Sequence, residues 1–345
     1  MNVLVTGGAG YIGSHAVRAL RDAGHGCVVL DLLDRGHRAA VPPDVPLIKA
    51  DLAETPVEEL AERFRGHDLD AVLHFAALAY VGESVTEPLR YYHNNTVGSL
   101  NLLRAMDLAG IDRLVFSSTC ATYGVPETLP ITEQTPQRPI NPYGWSKLMF
   151  ERMLADHAAS RPDFKYAQLR YFNVAGAAAD GSIGEDHRPE THLIPNAIRA
   201  ATGTGPALQV YGDDYDTPDG TCVRDYLHVE DLVDAHLRVL GVLASGLSEM
   251  ASQSLTLNLG TGRGRSIREV IEAVQRATGR PVPYEMHPRR PGDPPTLYAD
   301  VSKIREELGW SARHTDLTDI VASAYRWFRD RPAGYGSPAT AGPVR

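Results

Sequence analysis

Cysteine is scarce: Cys27, Cys120 and Cys222 are the only three in 345 residues. They are far apart and show no metal-ligand spacing, so a disulfide scaffold or cysteine-rich metal site is excluded and reduced, idle thiols are expected. Positive charge is short as well. Against 34 Lys and Arg stand 43 Asp and Glu, a net charge of −9, which argues against nucleic acid or an anionic membrane as partner. A negatively charged ligand would then need a local group of arginines. No apolar run approaches the ~20 residues of a membrane span, no internal repeat is visible, and Met1 leads almost directly into a strand, leaving no room for a leader. The thirteen histidines include no H-x-x-x-H or Cys/His cluster, so no metal is expected. What remains is a chain with 43% hydrophobic and 22% charged residues, of ordinary globular composition, with enough length for one large or two moderate domains. A cytoplasmic protein is expected.

Short apolar strands alternate with amphipathic helices through the first half. Asn2 to Thr6, Cys27 to Leu30, Leu47 to Lys49, Ala71 to Phe75, Arg113 to Ser118 and Lys165 to Phe172 read as strands. Helical spacing covers about Ser14 to Ala23, Val57 to Phe64 and Leu89 to Ala109, the last stopped by Gly110. Alternation of this length predicts an α/β fold with a Rossmann-type, doubly wound parallel sheet. The character changes after Asn173. A nucleotide-binding domain over 1–173 is therefore expected, followed by a smaller mixed α/β domain over 174–331, some of it packing back on the first. The Gly/Pro/Ser/Ala-rich end, 332–345, reads as a disordered tail.

Gly7-Gly8-Ala9-Gly10-Tyr11-Ile12-Gly13 sits between the first strand and the first helix. Glycines there let the backbone approach a pyrophosphate, and the helix N-terminus supplies free N–H groups and a favourable dipole. Asp31, at the end of the second strand, can accept hydrogen bonds from an adenosine 2′-hydroxyl and would repel a 2′-phosphate, so NAD is expected over NADP; the nearby Arg35 and Arg38 pull the other way. Further on, Tyr143-Gly144-Trp145-Ser146-Lys147 places a phenol and an ammonium on one helix face. A lysine in that position should lower the tyrosine pKa and make the pair a proton-transfer device beside a nicotinamide.

Other segments join these: His74-Phe75-Ala76-Ala77, Val81-Gly82-Glu83-Ser84, Phe116-Ser117-Ser118-Thr119, Asn141-Pro142-Tyr143, Leu169-Arg170-Tyr171-Phe172-Asn173 and Asp219-Gly220-Thr221-Cys222-Val223-Arg224-Asp225-Tyr226. From Asn2 to about Phe328 the chain resembles the extended short-chain dehydrogenase/reductase superfamily and, within it, the UDP-glucose (UDP-galactose) 4-epimerases. The resemblance implies a triad in which Thr119 holds the sugar O4 and relays a proton, Tyr143 is the general base, and Lys147, together with the positive nicotinamide, keeps the phenol ionised and bonds the nicotinamide ribose. It implies NAD contacts from Gly7, Gly10, Tyr11, Ile12, Gly13, Asp31, Asp51, Leu52, Phe75, Ala76, Ala77, Asn94, Ser117, Tyr171 and Phe172, besides Tyr143 and Lys147. For the UDP-sugar it implies Ser118, Thr119, Tyr143, Asn173, His192, Leu193, Gln209, Val210, Tyr211, Arg224, Arg290, Asp293 and Leu297. Arg224 and Arg290 would be the local positive charge for the diphosphate. A homodimer with helices near Leu89 to Ala109 and Phe150 to His157 at its seam is implied as well.

Departures narrow the chemistry. Related dehydratases carry an Asp-Glu pair after the threonine, where this chain has Cys120-Ala121, so elimination lacks its acid and base. Leu78-Ala79 stands where many epimerases have a cofactor-holding lysine, which implies looser NAD retention. The Ala76 to Ser84 and Ser118 to Gly124 segments are also similar to UDP-arabinose/UDP-xylose 4-epimerases, so the reaction is better defined than the sugar; UDP-glucuronate and the N-acetylated sugars are further alternatives. Leu297 falls where residue size governs room at the sugar C2 substituent, which implies a preference for non-acetylated sugars with partial tolerance. Gly260-Thr261-Gly262-Arg263-Gly264 looks like a second phosphate turn, but an ordinary strand-to-helix turn accounts for it, and Cys120 reads as packing.

Overall fold

The computed structural model describes residues 1–245, 254–290 and 293–336. In β1 (Asn2–Thr6) Val3 and Val5 pack on one face and Leu4 on the other, all fully buried. A strand without a polar face is stable only inside a sheet covered on both sides. The chain continues through α1 (Tyr11–Asp22), β2 (Gly26–Asp31), β3 (Leu47–Lys49), α2 (Val57–Arg65), β4 (Ala71–His74), α3 (Val81–Thr86), α4 (Pro88–Tyr91), α5 (Gly98–Ala109), β5 (Arg113–Thr119), α6 (Pro142–Ser160) and β6 (Lys165–Tyr171). Then follow β7 (Asn173–Ala175), α7 (Leu193–Thr202), β8 (Leu208–Tyr211), β9 (Val223–His228), α8 (Val229–Ser245) and β10 (Ser254–Leu259). The last elements are β11 (Gly264–Ser266), α9 (Ile267–Thr278), β12 (Tyr284–His287), β13 (Thr296–Leu297), α10 (Ser302–Leu308) and α11 (Leu317–Asp330).

Seven parallel strands form the main sheet in the order β10-β6-β5-β4-β1-β2-β3. The order reverses between β1 and β4, and the crevice at the carboxyl ends of those strands is where doubly wound sheets bind ligands. One core contains residues of α1 and α8, the other residues of α2, α5 and α6. A third core joins α7, α9 and α11 beside the small sheets, in which β9 pairs with β7, β11 and β13, and β12 with β8. The chain crosses back: after β6 it leaves the main sheet, yet α8 covers that sheet and β10 becomes its edge strand. Segments from beyond residue 174 thus pack on the first part of the chain. The reason is the apolar run Leu255, Leu257 and Leu259, nearly solvent-free against β6.

Two expectations are corrected. Leu89 to Ala109 is not one α-helix. Between α4 and α5 lies a π-helical stretch, Tyr92–Val97, that turns Asn95 inward. Its Oδ1 accepts the Leu78 N–H (2.8 Å) and its Nδ2 donates to Leu78 O (2.9 Å) and Ser146 Oγ (3.0 Å), so the wider turn satisfies the buried backbone after β4. The expected tail also starts too early. Tyr335 stacks on His37 (5.0 Å between ring centroids) and its N–H donates to Asp186 (2.9 Å), because an aromatic ring can still bury itself in a Gly/Pro-rich stretch. Residues 337–345 lie outside the described residues.

Candidate active site

The glycine turn needs its glycines. Gly7 has φ +70°, and a Cβ there would stand 2.6 Å from Ala76 N; one at Gly13 would stand 2.1 Å from Gly7 O. Gly7 thus lies against the Phe75-Ala76-Ala77 backbone that leaves β4. No side chain caps the N-terminus of α1 and no acidic residue sits in its first turn, so its first N–H groups and dipole are suited to an anion. Asp31 is buried at the end of β2, with Oδ2 accepting Ala9 N–H (2.9 Å) and Oδ1 accepting Leu33 N–H (2.8 Å). Burial raises its pKa and these two bonds oppose the rise. The competing arginines are held elsewhere. Arg35 pairs with Glu83 (2.7 Å) over the Tyr80 ring, and Arg38 donates to Val41 O (2.8 Å). A strand end with a fixed carboxylate and no free guanidinium fits a ribose diol and not a 2′-phosphate, so the cradle fits an unphosphorylated dinucleotide. Asp51 accepts the Ala53 N–H, Leu52 is buried beside Gly98, and Asn94 donates to Asn95.

Thr119 ends β5, and Tyr143 begins α6, capped by Asn141 Oδ1 accepting Gly144 N–H (2.8 Å). The Thr119 side chain lies close enough to the Tyr143 phenol to lower its pKa. One turn along α6, Lys147 is buried, donates to Ser117 O (2.9 Å) and lies 4.9 Å from the Phe116 ring centroid. Tyr171, opposite Thr119 in register, contacts the Ser117 hydroxyl. The electrostatics depart from the sequence expectation. Burial, then the Tyr171 phenol, raises the Tyr143 pKa, only partly opposed by Thr119. Burial likewise lowers Lys147 to about 7, with Glu151 pulling the other way. Desolvation outweighs the pairwise attraction assumed from the four-residue spacing, so without an added positive charge the phenol stays protonated.

Ser118 and Ser117 face opposite sides of β5. The Ser118 hydroxyl donates to Glu151 Oε1 (2.5 Å) and is thereby committed to the protein, contrary to its expected place in substrate binding. Glu151, one further turn along α6, also accepts Arg170 Nε (2.9 Å), Arg170 Nη2 (2.7 Å) and Gln137 Nε2 (2.8 Å). The sequence reading missed this pair, although Tyr143, Lys147 and Glu151 continue one four-residue series. Cys120 is next to Thr119, and burial pushes its thiol up to about 12, so it is no nucleophile at neutral pH.

The expected nucleotide groups lie on several separate elements. Leu297 of β13 lies opposite Arg224 of β9 in register and packs in a cluster with Tyr123, Phe172 and Cys120. Arg224 and Asp293, expected to take different parts of the ligand, are ion-paired to each other (3.3 Å). Arg290 is exposed over the Tyr211 ring (3.8 Å from Cζ to centroid), Tyr211 OH donates to Gln209 Oε1 (2.6 Å), and Val210 is buried. Asn173 starts β7 opposite Tyr226. Pro291 and Gly292 lie outside the described residues. His192 precedes Leu193 at the start of α7 and belongs to a different group, with Glu185, His187 and Glu190. The second glycine turn is explained by its own chain: Thr261 and Gly262 N–H groups donate to the buried Asp225 carboxylate (2.9 and 3.0 Å), leaving no phosphate site.

Residues 3–251 match the model of the NAD dependent epimerase/dehydratase family. A UDP-glucose 4-epimerase of Lactobacillus helveticus is 50% identical over 335 residues, covering 97% of this chain and 99% of that one. A crystal structure of UDP-glucose 4-epimerase from Brucella ovis in complex with NAD superposes with a TM-score of 0.89 at 49% identity, covering 94% and 98% of the two chains. One from Stenotrophomonas maltophila, with bound NAD and formylated UDP-arabinopyranose, gives 0.90 at 44% identity, covering 96% and 99%.

Proposed function

This chain belongs to the NAD dependent epimerase/dehydratase family, and from that premise we infer that it is a UDP-glucose 4-epimerase, an isomerase that interconverts UDP-glucose and UDP-galactose with NAD as its resident cofactor. The observation that carries the reading is Thr119, Tyr143 and Lys147 converging at the carboxyl end of β5, beside the glycine cradle of α1. NAD, when bound, takes the C4 hydride and returns it, and its oxidised ring adds a positive charge. Gly7, Gly10, Tyr11, Ile12 and Gly13 hold the pyrophosphate, and Asp31 the adenosine ribose.

Tyr143 Oη, as the phenolate, takes the proton from the sugar O4 and as the phenol later gives it back, while Thr119 at the end of β5 holds that oxygen in line. Lys147, kept in place by Ser117 O and itself protonated, together with the positive charge of the oxidised ring stabilises the phenolate that the first transfer needs. Inversion at C4 requires the sugar to present its other face between the two transfers. The grip must therefore fall on the nucleotide, and Arg224, Arg290, Asp293, Asn173, Leu193, and Gln209 to Tyr211 provide it. Breaking the Arg224–Asp293 pair frees a guanidinium for phosphate and a carboxylate for ribose. Leu297 limits the room at C2 and favours non-acetylated sugars. A second reading, epimerisation of the pentose UDP-arabinose, is supported by the arabinopyranose ligand of the Stenotrophomonas relative.

Of the described helices, none is long and apolar enough to cross a membrane, and we place the enzyme in the cytoplasm. A homodimer is supported by exposed Leu89, Val97, Leu100, Leu108, Trp145 and Met149 on the helices from α4 to α6. The division into an NAD-binding part and a UDP-sugar part follows the sheets, with α8 and β10 assigned to the first. Incubating the purified chain with UDP-galactose and with UDP-arabinose, without added NAD, tests the function. Conversion of UDP-galactose to UDP-glucose is expected, faster than pentose conversion. No conversion of either sugar, even with NAD supplied, refutes it.

A further inference from the structure

Outside the triad, the densest group of potential ligands lies in the segment from Ile183 to α7, in the pattern Glu185-x-His187-x-x-Glu190-x-His192. One donor atom from each of the four lies within 4.8 Å of all the others. The individual separations are 2.6 Å from His192 Nδ1 to Glu185 Oε1, 3.0 Å from His187 Nδ1 to the same oxygen, and 3.2 and 3.9 Å from His192 and His187 to Glu190 Oε1. Donors held ~2.0–2.1 Å from a common tetrahedral centre stand ~3.3 Å apart, and the four separations straddle that value. The shortest contact is also informative. His192 Nδ1 is buried and lies 2.6 Å from a carboxylate oxygen without the geometry of a hydrogen bond.

We propose that Glu185, His187, Glu190 and His192 form a binding site for one divalent first-row cation, Zn²⁺ foremost, that staples the segment leading into α7. The donor set is mixed imidazole and carboxylate, which suits Zn²⁺ and its neighbours better than Mg²⁺ or Ca²⁺. Both glutamate side chains are buried, with 5% and 2% exposure, whereas His192 is 42% exposed and leaves an entry path. The Glu190 carboxylate is oriented by the N–H groups of Thr191 (2.8 Å) and His192 (2.9 Å), as outer partners orient ligands in metal sites.

Charge balance fits the occupant: two carboxylates with two neutral imidazoles carry a net −2, which one divalent cation cancels without leaving charge buried. The other titratable groups facing the cluster are the phenols of Tyr11, edge-on to His187 (6.4 Å), and Tyr80, edge-on to His187 (5.9 Å) and His192 (6.4 Å). Both are raised by burial and stay neutral at pH 7.

The site lies one aromatic ring from the cofactor turn, since Tyr11 belongs to that turn and its hydroxyl donates to Gly176 O (2.6 Å). The staple would thus fix the segment that closes over α1. The test uses the full-length chain, stripped with dipicolinate and titrated with Co²⁺, then Zn²⁺. One equivalent of Co²⁺ with visible d–d bands, displaced by Zn²⁺, is expected. Glu190→Gln and His187→Asn, each checked for native circular dichroism, should weaken Co²⁺ binding by more than about 100-fold. No stoichiometric ion in the wild-type chain, or unchanged bands in both folded variants, would overturn the proposal. The wild-type titration stands even if a variant does not fold.

Discussion

Removing the Glu151 carboxylate should cost more than any other single change to the floor of the site. Glu151 and Arg170 face each other with side-chain exposures of only 2% and 5%, at 2.7 Å. Glu151 accepts four hydrogen bonds, from Ser118, Gln137 and two nitrogens of Arg170. Glu151→Leu leaves the guanidinium in the core with only Tyr123 OH and Glu133 O as acceptors. Breaking a buried pair by removing one partner costs about 3–5 kcal/mol. At roughly 2 °C per kcal/mol for a chain of this size, the unfolding midpoint should fall by roughly 6–10 °C. Arg170→Met should cost a similar amount, because it leaves the carboxylate with only Ser118 and Gln137. The double variant removes both charges and should recover most of the loss, giving a coupling of about 3 kcal/mol or more. Differential scanning calorimetry of the four proteins closes the cycle. Single variants within about 2 °C of wild type, or additive losses in the double variant, would show that the pair does not hold the end of β5.

Tyr143→Phe should lower UDP-galactose turnover by about 10²–10⁴-fold with an unchanged melting temperature; near-normal turnover removes the phenol from its role. Asp31→Ser should weaken NAD binding by about 10–100-fold, the value of hydrogen bonds to a charged group, as read by protein fluorescence titration. In Gly13→Ala the new methyl would meet Gly7 O at 2.1 Å, so the chain should purify without NAD and melt lower, and retention of NAD at wild-type stoichiometry would contradict that contact. Lys147 has its pKa lowered in the fold to about 7 from an ordinary 10.5, so between those values the unfolded chain binds the extra proton and stability rises with pH. Lys147→Met removes this term. The variant should therefore gain most on wild type near pH 7 and least near pH 10 in melting experiments across that range, and a pH-independent difference would refute the shift.

Patterns within one element were legible in the sequence, and those completed by distant elements were not. The glycine turn, Asp31 and the Thr119–Tyr143–Lys147 arrangement are each local, and a strand-turn-helix grammar makes them readable. Apolar periodicity gave the strands β1 to β6 to within a residue or two. It could not reveal that β10 returns to the main sheet, because a buried edge strand reads the same wherever it docks. The π-helical stretch was invisible because Tyr92 to Val97 carries no composition that distinguishes it from α-helix. Spacing reports neighbours and not desolvation, which here moves Tyr143 and Lys147 in opposite directions, so Lys147 alone does not lower the phenol pKa as the four-residue spacing suggested. The pairing of Arg35 with Glu83 reversed the weight of a doubtful cue and strengthened the choice of dinucleotide. A search for H-x-x-x-H passed over Glu185-x-His187-x-x-Glu190-x-His192 because the donors alternate in type.

The stretch Tyr92–Val97 holds one residue more per turn-equivalent than an α-helix, and each α-helical residue advances the face by ~100°. The segments before and after it, Pro88–Tyr91 and Gly98–Ala109, are thus set in different rotational phase. The first turns Tyr91 to the interior and Leu89 to solvent, and the second packs Leu102, Leu103 and Met106 into the core. The extra residue falls where Asn95 turns inward to bond the Leu78 backbone, so the polar support of the loop after β4 is built into the middle of a segment whose two ends pack as ordinary helix.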